Sequence, residues 1–119
     1  MLVFLKLGGS LITDKQVART SRMDTLQRLA GEIQRARSVN PDLQILLGHG
    51  SGSFGHQAGQ KYGTRDGVNT PDNWLGFNEV WYDARELNLL VIETMHTAGL
   101  PVMASSEDAR SRRFRLSWR

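Results

Sequence analysis

No cysteine occurs in this sequence of 119 residues, which excludes a disulfide framework and any thiolate metal site and points to a reducing compartment, the cytoplasm. Long apolar runs are missing too: none approaches the roughly 20 residues of a membrane-spanning helix, so no membrane partner is expected. Met1 to Leu7 is apolar but short and broken by Lys6. It lacks the basic start and small-residue cleavage pattern of a signal peptide and is expected to be a strand. No His and acidic residues cluster at the spacing of a protein metal site. An excess of one charge is absent from most of the chain as well. Residues 1–106 carry ten Lys/Arg against ten Asp/Glu, and the formal charge of +3 arises wholly between Glu107 and Arg119, from five arginines and two acids. That tail has no alternating aromatic platform, so nucleic acid is not an expected partner.

What is present reads as a regular alternation of strands and helices, in a length that fits one small domain with a core. Leu2 to Leu5 is a continuous apolar run, the pattern of a parallel strand covered on both faces, and Gly8-Gly9 ends it. Ser21-x-x-Asp24 fits a capping box. Leu26, Leu29, Ala30 and Ile33 then form one apolar stripe of a helix running to about Ser38. Asn40-Pro41-Asp42 stops it, and Gln44 to Leu47 is the second strand. Strand, helix, strand at this spacing is a βαβ unit, with parallel strands and a right-handed crossover. His56 to Tyr62 has room for one or two helical turns, and Thr64 to Trp74 is a polar, exposed loop. Phe77 to Gly99 is a long helix and Leu100 to Ala104 a third strand. Ser105 to Arg119 has no apolar period and is expected to be a disordered or foreign tail, so that the domain proper is 1–104.

The chemistry concentrates in His49-Gly50-Ser51-Gly52-Ser53-Phe54-Gly55-His56, directly after the second strand. Glycines at this density let successive N–H groups face one concavity, which is how backbones hold phosphate. A second glycine turn, Gly8-Gly9-Ser10, ends the first strand and follows Lys6. A strand lysine in an apolar run is costly unless it reaches a partner, and an anion held by that turn would supply one; the alternative is an edge lysine reaching water. Gly50 to Gly55 literally matches the dinucleotide fingerprint, but it follows the second strand and has no acidic residue at the end of the next, so the match is weak. A Walker P-loop is excluded because the chain has no Gly-Lys pair. His56 sits at the rim of the glycine stretch, where it could donate to a phosphate, move a proton or simply cap a helix start. His49 is expected to support the loop from behind.

Lys6-Leu7-Gly8-Gly9-Ser10-Leu11-Ile12-Thr13-Asp14-Lys15, followed one βαβ unit later by Gly50-Ser51-Gly52-Ser53-Phe54-Gly55-His56, resembles the amino acid kinase superfamily. The second motif, with Ala58 and Lys61-Tyr62-Gly63 behind it, is similar to that of the isopentenyl phosphate kinases within it, with fosfomycin-resistance kinases as near relatives. The resemblance covers roughly residues 1–104. It implies an α/β fold, αβα layered around a mainly parallel sheet, in truncated form: the N-terminal, phosphate-acceptor half. The implied reaction is transfer of the γ-phosphoryl group of ATP, with Mg²⁺, to isopentenyl phosphate, a step of isoprenoid synthesis; a homodimer is compatible with it. Carried over by motif, Lys6, Leu7, Gly8, Gly9 and Ser10 would contact ATP phosphates, as would Gly52. Lys15 would be catalytic, stabilising charge on the transferring group. Ser51 would stand at a substrate-phosphate position, and His56, catalytic and substrate-binding, would hydrogen-bond that phosphate. Val80, Ala84 and Leu87 would form an apolar wall for the isopentenyl tail. The family pattern has glycine in place of Ser51, which would strain the loop if that position required φ > 0. The adenine and ribose half of the family fold is not in the sequence, so a phosphate-binding fragment without turnover is one alternative. Another phosphotransferase of the superfamily, a fosfomycin, uridylate or amino acid kinase, is the other.

Overall fold

The computed structural model describes residues 1–55, 59–61, 63, 67, 70–105 and 115–118. Strand β1 (Leu2–Leu7) pairs in parallel with β2 (Gln44–His49), in register from Leu2 opposite Gln44 to Leu7 opposite His49. Between them run a single helical turn, α1 (Gly9–Ile12), and the crossover helix α2 (Met23–Val39). A 3-10 turn at Gly52–Phe54 follows β2, then the long helix α3 (Pro71–Thr97), β3 (Val102–Ser105) and β4 (Arg115–Trp118). The sheet order is β1-β2-β4-β3. Because β4 is antiparallel to both its neighbours, β1, β2 and β3 all run the same way. The expected α/β fold with a mainly parallel sheet is therefore present.

One core closes one face of the sheet. Leu26, Ala30 and Ile33 on α2 and Leu87, Val91 and Met95 on α3 are buried with Leu7, Ile45 and Leu47. The first triplet is spaced four and three residues apart and the second four and four, which aligns each along one side of its helix. The opposite face is different. Leu2 is 56% and Phe4 74% exposed, and Met103 on β3 is 66% exposed. Alternation along β1 puts Leu2, Phe4 and Lys6 on that side, away from Leu5 and Leu7. The expectation of a strand covered on both faces is thus corrected: among the described residues the helices supply one covering layer, while the apolar residues suited to a second are in place.

Three boundaries also shift. Arg22, not Ser21, is the N-cap of α2, and no side chain caps that end; Ser21 is engaged instead in a bridge with Thr13. Helix α3 starts at Pro71 rather than Phe77, because the Thr70 hydroxyl accepts the Asn73 N–H at 3.2 Å and proline fits the first helical position. The last part of the expected loop, up to Trp74, is therefore helical. The Arg115–Trp118 strand lies in a segment whose sequence period gave no element; main-chain pairing with β2 and β3 needs no such period.

Candidate active site

The two glycine stretches meet back to back. Each is pinned by one apolar side chain buried in the core, Ile12 two residues beyond the first and Phe54 within the second. Between these anchors the backbones touch: a Cβ on Gly9 would lie 2.5 Å from the Gly52 nitrogen, which makes a side chain at Gly9 impossible without moving main chain. Gly52 has φ 51°, the left-handed region, and a Cβ there would strike the Thr13 hydroxyl and the Gly9 carbonyl. The positive φ of this loop thus falls on Gly52. Ser51 is in the right-handed helical region (φ −86°, ψ −21°), where a serine is unstrained, so the difference from the family pattern at Ser51 does not strain the loop.

Thr13 stitches the two stretches together. Fully buried, it donates its hydroxyl to the Gly9 carbonyl (2.6 Å) and accepts the Ser53 N–H (3.1 Å). Ser53 is gripped from every side: its carbonyl accepts the Arg19 N–H at 3.1 Å, and its hydroxyl donates to the Thr20 carbonyl at 3.3 Å and lies 3.4 Å from the Thr20 N–H. With its own N–H used on Thr13, Ser53 serves as a post for the loop rather than an anion donor.

A cavity of about 340 Å³ opens at this junction, lined by Ser10, Lys15, Gly52 and Ser53. It brings together residues from both glycine stretches and the lysine of the connecting segment. Ser53 also lines a second cavity of about 610 Å³, bounded by Arg19 and by Leu75, Asn78, Tyr82 and Asp83 of α3. Arg19 pairs with Glu86 and with Asp83 (Nε to Oδ1, 3.4 Å), and stands 6.0 Å from the centre of the Tyr82 ring. The bond from Arg19 holds the Glu86 carboxyl below its ordinary value. At Asp83 burial outweighs the arginine's attraction and raises the carboxyl. His49 supports the loop from β2: its ring nitrogens lie 3.0 Å from the Gly50 carbonyl and 3.0 Å from the Asn88 side chain on α3.

Of the residues singled out by sequence, Ser10, Lys15 and Gly52 share the smaller cavity, with Gly8 and Gly9 in the turn beneath it. Lys6 is exposed on β1 opposite Gly48 and is not among that cavity's lining residues. The Leu7 side chain belongs to the core, and what it offers the loop is its carbonyl, which accepts the Gly50 N–H at 3.1 Å. Ser51 opens the 3-10 turn. His56, Ala58 and Tyr62 lie outside the described residues. Leu87, expected on an apolar wall for the substrate, is fully buried in the core and cannot line one; Val80 instead packs toward Gly55. Thr13, Arg19 and Ser53 were not singled out by sequence reasoning. Thr13 and Ser53 lie inside the two motifs, so their place there was the available signal. Among the described residues no group of three His, Asp or Glu side chains could hold a metal ion.

Known proteins match most of the chain. Residues 1–108 match the model of the amino acid kinase family. The chain is 36% identical over 110 residues to the isopentenyl phosphate kinase of Methanocaldococcus jannaschii, covering 87% of this chain and 42% of that one. It is 34% identical over 114 residues to the isopentenyl phosphate kinase of Thermoplasma acidophilum, covering 92% and 44%. A solved product complex of the T. acidophilum isopentenyl phosphate kinase superposes with a TM-score of 0.78 at 32% identity, over 96% of this chain and 47% of that chain. The chain thus spans less than half the length of the curated relatives it matches.

Proposed function

The chain belongs to the amino acid kinase family, and on that premise we propose that it is the phosphate-handling part of a kinase that moves the γ-phosphoryl group of ATP to isopentenyl phosphate. The observation that carries this reading is the cavity of Ser10, Lys15, Gly52 and Ser53, where two glycine stretches meet beside a lysine. A Cβ at Gly9 or Gly52 would strike the facing stretch or the Thr13 hydroxyl, so the glycines let the two turns close on each other beside Lys15. The specific acceptor rests on the isopentenyl phosphate kinases to which the chain is similar.

Phosphoryl transfer asks the protein for position and charge rather than for covalent help. ATP supplies the transferred group, and Mg²⁺ would be held chiefly by phosphate oxygens, since the described residues offer no carboxylate cluster. Backbone N–H groups of the Gly8–Ser10 turn and of Gly52 orient phosphate oxygens, and the Lys15 ammonium neutralises charge that develops between donor and acceptor. His56, by its place in the motif, donates a hydrogen bond to the acceptor phosphate. The acceptor is already a phosphate monoester, so no strong base is required.

In this reading residues 1–104 are the family's contribution and 105–119 a segment set apart by its composition, while the family match runs on to residue 108 and β4 pairs with β2 and β3. The share of the relatives' length favours a second outcome, phosphate binding without transfer. A coupled assay of ATP consumption with isopentenyl phosphate, uridine monophosphate and fosfomycin as acceptors separates these. Turnover with isopentenyl phosphate that Lys15→Ala and His56→Ala both abolish supports the proposal. Preference for another acceptor overturns its substrate, and ligand binding with no turnover reduces the chain to a binding fragment.

A further inference from the structure

Lys15 sits in a connecting segment, and what fixes that segment is a residue outside both glycine motifs. The segment is closed at its base by the Thr13–Ser21 bridge and by the Asp14 N–H bonded to the Thr20 carbonyl at 2.9 Å. Toward its end Arg19 turns the chain through φ 53°, a region that residues with a Cβ enter at a cost. The turn lets one residue do two things. Its N–H reaches the Ser53 carbonyl, and its guanidinium reaches across to Asp83 and Glu86 on α3, over the Tyr82 ring. Helix α3 is rooted in the core through Leu87, Val91 and Met95, so the arginine ties a loop to a fixed post.

We propose that Arg19 is a positioning residue of the phosphate site: by clasping α3 it holds the Lys15 segment against Gly52 and Ser53. This rests on the reading of that cavity given under Proposed function. The Arg19 side chain is half exposed, and exposed ion pairs add little to global stability. Its effect therefore falls on where the loop sits, which sets it apart from a merely structural role.

The test uses the whole chain without ligand first. Amide hydrogen exchange at Asp14 and Thr20, whose N–H groups bond the Thr20 carbonyl and the Ser53 hydroxyl, is compared in the parent, Arg19→Ala, Arg19→Lys, Arg19→Gly and the double variant Asp83→Asn/Glu86→Gln. The affinity for inorganic pyrophosphate is then measured in each. The clasp predicts about tenfold faster exchange at those amides in Arg19→Ala and in the double variant, with Leu87 and Val91 unchanged. It predicts pyrophosphate binding weakened about fivefold, with partial recovery in Arg19→Lys. Arg19→Gly relaxes the backbone but lacks the guanidinium, so it should fail as alanine does. If glycine restores both readouts, if exchange is unchanged in alanine, or if exchange rises without loss of affinity, the proposal is overturned. A parent chain that does not bind pyrophosphate would instead remove the phosphate-site reading, and exchange at Asp14 alone would then decide the clasp.

Discussion

Thr13 and Arg19 both grip Ser53, one from inside the fold and one from its surface. Thr13 is fully buried, uncharged and held by two bonds, to the Gly9 carbonyl (2.6 Å) and from the Ser53 N–H (3.1 Å). Arg19 has its side chain 48% exposed and works through two carboxylates on another helix. A buried hydroxyl is indispensable once its partners are shielded from water, because a donor left behind pays its full desolvation. A surface ion pair is screened and entropically costly, so its contribution to stability is small. The difference implies a division of labour: the inner contact decides whether the glycine stretches stay together, and the outer one decides where the lysine segment lies over them.

The largest break should come from Gly52→Ala, which attacks the inner contact directly. It combines a left-handed φ with a collision against Thr13 and Gly9, and should cost about 3 kcal/mol in denaturant unfolding. A loss below about 0.5 kcal/mol would mean that the two stretches are not in contact in solution. Thr13→Val keeps the shape and removes the hydroxyl. The Gly9 carbonyl still accepts the Thr13 N–H at 3.0 Å, so the orphan is the Ser53 N–H, and the expected cost is about 2 kcal/mol. Raising salt to about 1 M, where screening acts within about 3 Å, should sharpen the contrast. It should speed exchange at Asp14 and leave the Ser53 N–H bond to Thr13 protected.

Much of this was legible in the sequence, and the reasons for the rest are physical. The α2 stripe of Leu26, Ala30 and Ile33 and the paired strands β1 and β2 follow from periodicity, which packing against one sheet face preserves. The start of α3 was missed because Thr70-Pro71 is a cap signal whose partner is a backbone N–H, invisible to hydrophobic spacing. Ser21 looked like a cap by type and spacing, yet a tertiary bridge to Thr13 claimed its backbone. The exposed Leu2 and Phe4 read as buried because composition records what a strand is suited to, not what covers it. Within the site, glycine motifs and Lys15 stood out by residue type. Arg19 did not: its partners Asp83 and Glu86 lie more than sixty residues away, and nothing local pairs them.

The finest test of the comparison is titration, since only the outer contact carries ionisable groups. Glu86 is held below its ordinary value of 4.5, so the folded state binds its proton more weakly than the unfolded chain does. Its contribution is therefore complete above that value and is lost as pH falls through the lower, folded one. Asp83 has the opposite sign. Burial raises it above 3.8, the folded state holds its proton more tightly, and stability from this group declines as pH rises through that range. The two slopes oppose each other, so the parent's acid limb is flatter than Glu86 alone would make it. Unfolding followed across the acid range should show Glu86→Gln with a shallower rise of stability with pH than the parent, and Asp83→Asn with a steeper one. Thr13→Val, which removes no ionisable group, should shift the whole curve down without changing its slope. A slope change in Thr13→Val would show that the inner and outer contacts are not separate, and that breaking the hydroxyl bond also releases the arginine from its carboxylates.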